Sequence, residues 1–243
     1  MLKSTLAKIA TGTLVLSSLA CADSFTGLDV KNGKGIKGEQ LRTENFVGNL
    51  KIDNLDVSEI IVKAEGSEDY LRNLIIEQDG DTLVIKHKDK HSPSLRNTKD
   101  SRIHIQLPRQ ANLHVGLSNA DATICDRGGD TTVNVDGAGS AKIEGVEGCF
   151  KSNINGSGDI HITKLNGNME TNIQGNGQLI VLGGKSESVK ANISGAGEIS
   201  LGGEVRDADL TISGAGNVTI DRLTGKVNQN ISGQGTVDIK SKA

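Results

Sequence analysis

Between residues 113 and 240 apolar and polar positions recur with a period of about 19 residues. The repeat aligns on a Gly-x-Gly pair whose first glycine falls at 137, 156, 175, 195, 214 and 233, at spacings of 19, 19, 20, 19 and 19. Two residues ahead of each pair stand Val135, Ile154, Ile173, Ile193, Ile212 and Ile231. Four after the first glycine come Ala141, Ile160, Leu179, Ile199, Val218 and Val237, and six after it Ile143, Ile162, Val181, Leu201, Ile220 and Ile239. These offsets share one parity, so the pattern predicts β-strand with one apolar face and one polar face. A second short strand is expected around Phe150, Met169, Ala208 and Val227, and "SNADATI" at Ser118 reads as a degenerate earlier copy.

A unit this short cannot bury its apolar face alone, but stacking each unit on the next pairs every strand and builds a continuous core. The expected fold is all-β, a right-handed parallel β-helix (β-solenoid) with rungs about 4.8 Å apart. The glycines then mark bends, where core parity leaves no room for a side chain or the backbone takes a dihedral only glycine tolerates. The expected bend positions are Gly137 and Gly139, Gly156 and Gly158, Gly175 and Gly177, Gly195 and Gly197, Gly214 and Gly216, and Gly233 and Gly235. Asn134, Asn153, Asn172, Asn192 and Asn230, with Thr211 in the remaining slot, lie three before the first glycine. That column reads as a side-chain amide ladder, the functional alternative being a sugar-binding row.

Residues 23–112 are less regular. "FTGLDVKNGKG", "NLKIDNLDVSEIIVKAEG" and "DGDTLVIKHK" predict strands and turns, "SEDYLRNL" a short helix, and "KHSPSLRNTKD" an exposed loop. This part is expected to continue the coil and cap its N-terminal end. The segment 1–22 carries Lys3 and Lys8, an apolar stretch from about Ile9 to Leu19, and then small residues, which reads as an export signal. Ala20-Cys21-Ala22 fits cleavage before Asp23, with lipidation at Cys21 the alternative. The mature chain, 23–243, is then a single extracytoplasmic domain that is secreted, periplasmic or lipid-anchored, and no other apolar run approaches the ~20 residues that span a bilayer.

"FTGLDVKNGKGIK", "GSEDYLRNLIIEQDGDTLVIKHK", "IHIQLPRQANLHV" and the serial N-I-x-G-x-G-x-I-x-I units together resemble the head-GIN domain family, the auto-transporter adhesin heads. The resemblance runs over residues 25–240. It implies a right-handed β-helix on a bacterial extracytoplasmic protein, and adhesion as the role.

Composition narrows the chemistry. Aromatics make up 2% of the chain, with no Trp and a single Tyr, so Ile, Val and Leu must fill the interior. Without residues 1–22, the 27 Lys and Arg fall to 25 against 30 acidic side chains, a balance that argues against nucleic acid. Gly33 to Gly38 spells G-x-G-x-x-G, but "EQLRTENFVGNL" supplies no helix stripe behind it, so no dinucleotide cofactor is expected. His87, His91, His104, His114 and His161 are scattered, Asp126 and Asp130 around "RGGD" fit turn chemistry, and no metal is expected. Cys125 and Cys149 are candidates for a disulfide if the turn at 145–148 folds back.

The outer face of the repeats is the expected binding surface: Asp159 and His161, Asn176 and Gln178, Glu198, Asn217 and Thr219, and Thr236. A non-catalytic partner-binding or structural role is the primary reading, the partner being a surface protein or glycan, or further copies of the chain. The rival reading is a carbohydrate-active β-helix enzyme using Asp159 and Glu198, which stand two rungs apart, roughly 9.6 Å, near the upper end for an inverting pair. A third is an envelope scaffold or stress component acting through the coil ends.

Overall fold

The computed structural model describes residues 27–31, 39–54, 60–88 and 101–242. Residues 1–22, where an export signal is expected, Gly33 to Gly38, His91 and the "KHSPSLRNTKD" loop lie outside the described residues. The chain forms a β-solenoid of about seven turns. Its irregular half holds β1 (Gly27–Lys31), β2 (Gln40–Phe46), β3 (Asn49–Asn54), β4 (Ile61–Glu65), α1 (Glu68–Asn73), β5 (Leu74–Asp79), β6 (Thr82–His87), β7 (Arg102–Leu107), β8 (Asn112–Ser118) and β9 (Asp121–Ile124). Regular rungs follow: β10 (Thr131–Gly137) with β11 (Ser140–Val146), β12 (Phe150–Gly156) with β13 (Asp159–Leu165), and β14 (Met169–Gly175) with β15 (Gln178–Val181). The last are β16 (Lys185–Gly195), the long β17 (Glu198–Gly214), β18 (Asn217–Leu223), β19 (Val227–Gly233) and β20 (Thr236–Lys242).

Each Gly-x-Gly pair is the corner between two sheets. The strand before it stacks in parallel in the first sheet, β8, β10, β12, β14, β16, the end of β17, then β19. The strand after it stacks in the second, β9, β11, β13, β15, the start of β17, β18, then β20. Offsets −2 and +4, which share parity in sequence, thus face each other across the core from opposite sheets, and the strand expected near Phe150 is the start of the first-sheet strand.

The two glycines of a pair do different work. Gly195 has φ +131°, a conformation that side chains resist, and a Cβ there would lie 2.5 Å from the Gly175 carbonyl oxygen. Gly197 has no such dihedral; its added Cβ would lie 2.6 Å from Ile173 Cγ2 on the preceding rung. The β-branched residue two before one pair therefore fills the hole left by the second glycine of the next pair.

The irregular half continues the coil but out of chain order. β2 and β3 form a rung that stacks on β8 and β9 on one side and on β6 and β7 on the other. The chain must therefore step across its own first rung between Leu107 and Asn112. Arg127, 0% exposed, holds that crossing: its guanidinium donates to Asn54 Oδ1 at 2.6 Å and to the carbonyls of Pro108 and Ala111, each at 2.7 Å. Burial pushes its pKa down to about 10, so it stays charged near neutrality. Beyond β6 and β7 the coil is closed by antiparallel strands, β5 on β6, and β4 on β7 with β1 on β4.

Ser67 caps α1 by accepting from the Tyr70 amide, and Tyr70 is fully buried with its hydroxyl donating to the Val47 carbonyl at 3.0 Å. Beside it His87, 5% exposed, packs its ring against Tyr70 and Phe46 at 4.9 and 5.7 Å between centroids. Neither His87 nitrogen has a hydrogen-bond partner among the described residues, and burial pushes its pKa down to about 4.

Two outcomes are expected. Gly197→Ala should cost about 1–3 kcal/mol, and the cost should shrink when Ile173→Ala opens space for the new Cβ. Gly195→Ala should be as costly with Ile173→Ala as without it, since its strain lies in the backbone; denaturant midpoints for the double-mutant cycles read both. For His87, a folded pKa below the unfolded value near 6.5 means the native state binds fewer protons, so stability is full above about 6.5 and is lost as pH falls toward 4. Between pH 7 and 5 the protein should lose about 2 kcal/mol more than His87→Leu, measured by urea unfolding.

Candidate binding face

The second sheet turns a flat outer surface to solvent. Its first outward row runs Asp121, Ser140, Asp159, Gln178, Glu198, Asn217 and Thr236, one residue per rung and in register. Neighbours tie to one another: Ser140 Oγ donates to Asp121 at 2.6 Å, Gln178 Nε2 to Glu198 Oε2 at 3.0 Å, and Thr236 Oγ1 to Asn217 Oδ1 at 2.7 Å. A second row holds Lys142, His161, Ile180, Ser200, Thr219 and Asp238. Asn176 projects from the bend ahead of Gln178 and is exposed. All eight residues expected at the binding face thus lie along one side of the coil, on five successive rungs.

The row also brings Asp159 and Glu198 two rungs apart, with Gln178 between them donating its amide to Glu198. One feature escaped the reading of the repeat. Leu182, 66% exposed, and the half-buried Ile180 set two apolar side chains in the middle of the polar face. Both follow the outward parity of their strand, so alternation alone would have found them.

On the first sheet the asparagine column is a ladder. Asn153 donates to Asn134 at 2.8 Å, Asn172 to Asn153 at 3.0 Å, and Asn192 to Asn172 at 2.8 Å, with His114 Nε2 3.2 Å from Asn134 at the lower end. A second set of stitches recurs every other rung at the turn before the first-sheet strand. Asp130 accepts from the Cys149 amide, Asn168 from Ser188 and Asp207 from Lys226, at 2.9 to 3.1 Å. Asp130 of "RGGD" is thereby turn chemistry, as read. A shallow depression of about 310 Å³ beside Asp207 is lined by Ser188, Asp209, Lys226 and Asn228.

A cluster of ionisable groups gathers around Asp53 on β3. Asp53 Oδ2 lies 2.9 Å from Lys51 Nζ and 2.6 Å from His104 Nε2, and the Cys125 thiol donates to Asp53 Oδ1 at 3.4 Å. Burial works to raise the Asp53 carboxyl, but the hydrogen bonds from Lys51, His104 and Cys125 outweigh it and hold it below its ordinary value. Burial, with the Asp53 carboxylate second, pushes the Cys125 thiol up to about 11. A thiol so placed is a poor nucleophile and a poor metal ligand. The candidate disulfide is not formed in this geometry: Cys125 turns to Asp53, and Cys149 is exposed at a turn pinned by Asp130.

Residues 151–243 match the model of the family described as "Putative auto-transporter adhesin, head GIN domain". Among curated proteins, none matches the sequence. The solved structures that share this fold include a protein from Parabacteroides distasonis named "Putative lipid binding protein", 18% identical, TM-score 0.62, with 89% of this chain and 96% of that one covered. A "putative adhesin" from Bacteroides fragilis is 15% identical with TM-score 0.62, over 90% of this chain and 98% of its own. Another from Parabacteroides distasonis is 16% identical with TM-score 0.57, over 97% and 99%. At these identities the likeness is one of fold.

The two thiols should separate chemically. At pH 8 a thiol of pKa near 11 is only about 0.1% thiolate, so iodoacetamide should alkylate exposed Cys149 in the native protein and leave Cys125 nearly untouched. Denaturation without reductant should expose both to labelling, read by peptide mass mapping; a cystine-linked peptide would contradict the free thiols.

Proposed function

We propose that this chain is a non-catalytic binding module displayed outside the cytoplasm, and that it meets a surface protein or glycan along the outer face of the second sheet. The observation that carries this reading is the row from Ser140 to Thr236, in register over six rungs, made of short polar side chains that let an extended partner approach closely. The adhesin names of the family model and of the fold relatives support it, as does the export signal read in residues 1–22. A glycosidase would be expected to enclose its sugar in a cleft, whereas Asp159 and Glu198 stand on an open row with Glu198 held by Gln178. The core is filled by Ile160, Leu179, Ile199 and Val218, each no more than 1% exposed, so an apolar ligand would meet the protein at its surface.

Aromatic and arginine anchors are absent from these rows, so each contact is weak and attachment depends on many copies displayed together. Replacing Asn176, Gln178, Asn217 and Thr236 together by Lys should leave the protein folded with only a small drop in melting temperature, because these side chains are outside the core and the cost is confined to two surface hydrogen bonds and the like charges stacked at 217 and 236. Beads coated with the variant should lose attachment to a glycan or matrix surface that retains wild-type beads, with no new reducing ends released by either. Undiminished attachment by the folded variant would remove this face from the reading, and release of reducing ends would replace it with catalysis.

A further inference from the structure

The last described rung, β19 with β20, is built differently from those beneath it. Among the described residues β19 and β20 pair only on their inner edges, with β17 and β18, so a row of backbone donors and acceptors is left unpaired on each outer edge. The apolar residues of this rung lose cover: Ile231 is 40% exposed, against 2% for Ile193 and 1% for Ile212 in the same column, and Val227, Val237 and Ile239 are only half-buried. In the middle inward column, where the two rungs below carry Ala191 and Leu210, stands Gln229.

We propose that this end of the coil docks onto the same end of a second copy, each outer edge pairing antiparallel with its own counterpart across a two-fold axis normal to the sheets. Three features of the rung fit that arrangement. The bend is centred on Gln234, and Gln229 and Ile239 lie five residues to either side of it, one in each sheet. One axis can therefore pass through both positions. About Ile239, the exposed Asp238 faces Lys240 of the second copy and Lys240 faces its Asp238, so opposite charges meet twice. About Gln229, Val227 faces Ile231 of the second copy, and the two Gln229 amides meet each other inside the joint. The charge pairs fix register more than they add affinity; the edge hydrogen bonds and the covered apolar side chains supply the attachment. Lys240 reaches back to Asp221 on the rung below at 2.7 Å, which holds its ammonium on the outer face beside Asp238.

The proposal stands apart from the reading of the second-sheet face, and sedimentation velocity on the mature chain tests it. At about 100 μM the wild-type protein should sediment as a dimer. Asp238→Lys sets like charges opposite each other twice and should weaken dimerisation at least tenfold. Asp238→Lys combined with Lys240→Asp, in an Asp221→Asn background so that no carboxylate faces the new one from the rung below, restores opposite charges across the axis and should restore the dimer. Thermal melts confirm that each variant is folded; both sites are at the surface of the terminal rung. A monomeric wild type, a dimer indifferent to Asp238→Lys, or a folded charge-swapped variant that stays monomeric would each overturn it.

Discussion

Everything in this molecule follows from stacking successive rungs in register at the ~4.8 Å spacing of paired strands. That spacing lays each side chain over the one a repeat earlier, so a residue type is chosen for how it stacks on its own kind. Ile on Ile closes the core, and amide on amide bonds along the outside, as Asn134 to Asn192 show. Charge on like charge is excluded, and the outer columns alternate: Lys151 with Glu170, Lys185 with Glu204 and Glu204 with Arg222. Even the core hydroxyls obey the rule, since Ser152 and Thr171, adjacent in one inward column, bond to each other at 2.6 Å.

The same constraint decides what the sequence could reveal. A periodic column is visible in one chain because the repeat lines up its members, so the corners at Gly195 and its counterparts, the core residues and the amide ladder could all be read from spacing alone. Features defined by one rung, or by neighbours remote in sequence, could not. Arg127 occupies an inward position where the next two rungs have Val146 and Leu165, but in sequence it is only the Arg of "RGGD". Its partners Asn54 and Pro108 are 73 and 19 residues away. The Asp53, His104 and Cys125 cluster arises because β3 lies between β7 and β9 in space, an order that no local pattern carries. For the proposed binding face, parity showed which side chains point outward, and it says nothing of what they meet.

Selection at the face and at the core therefore acts on separate columns. An outward residue can change without touching the core, provided it accommodates the rungs above and below. Leu182 illustrates that freedom, standing where the next rung has Gly202 and exposing two-thirds of its side chain at no cost to the interior. A coil of this kind can vary the surface it displays one row at a time over a fixed backbone.

The rung of β2 and β3 carries a consequence for the order of events in folding. Both of its neighbours come later in the chain than it does, so as the polypeptide emerges from its N-terminus this rung waits with two open edges. One edge is covered when β6 and β7 arrive and the other only after the chain has crossed over to β8 and β9. The side chain that fixes the crossing, Arg127, comes later still. Every rung after it needs just one completed neighbour and can add like the next tooth of a zipper. The loop-closing cost among the described strands is thus concentrated in the N-terminal half, while the regular stack that carries the proposed binding rows can add rung by rung once that foundation has closed.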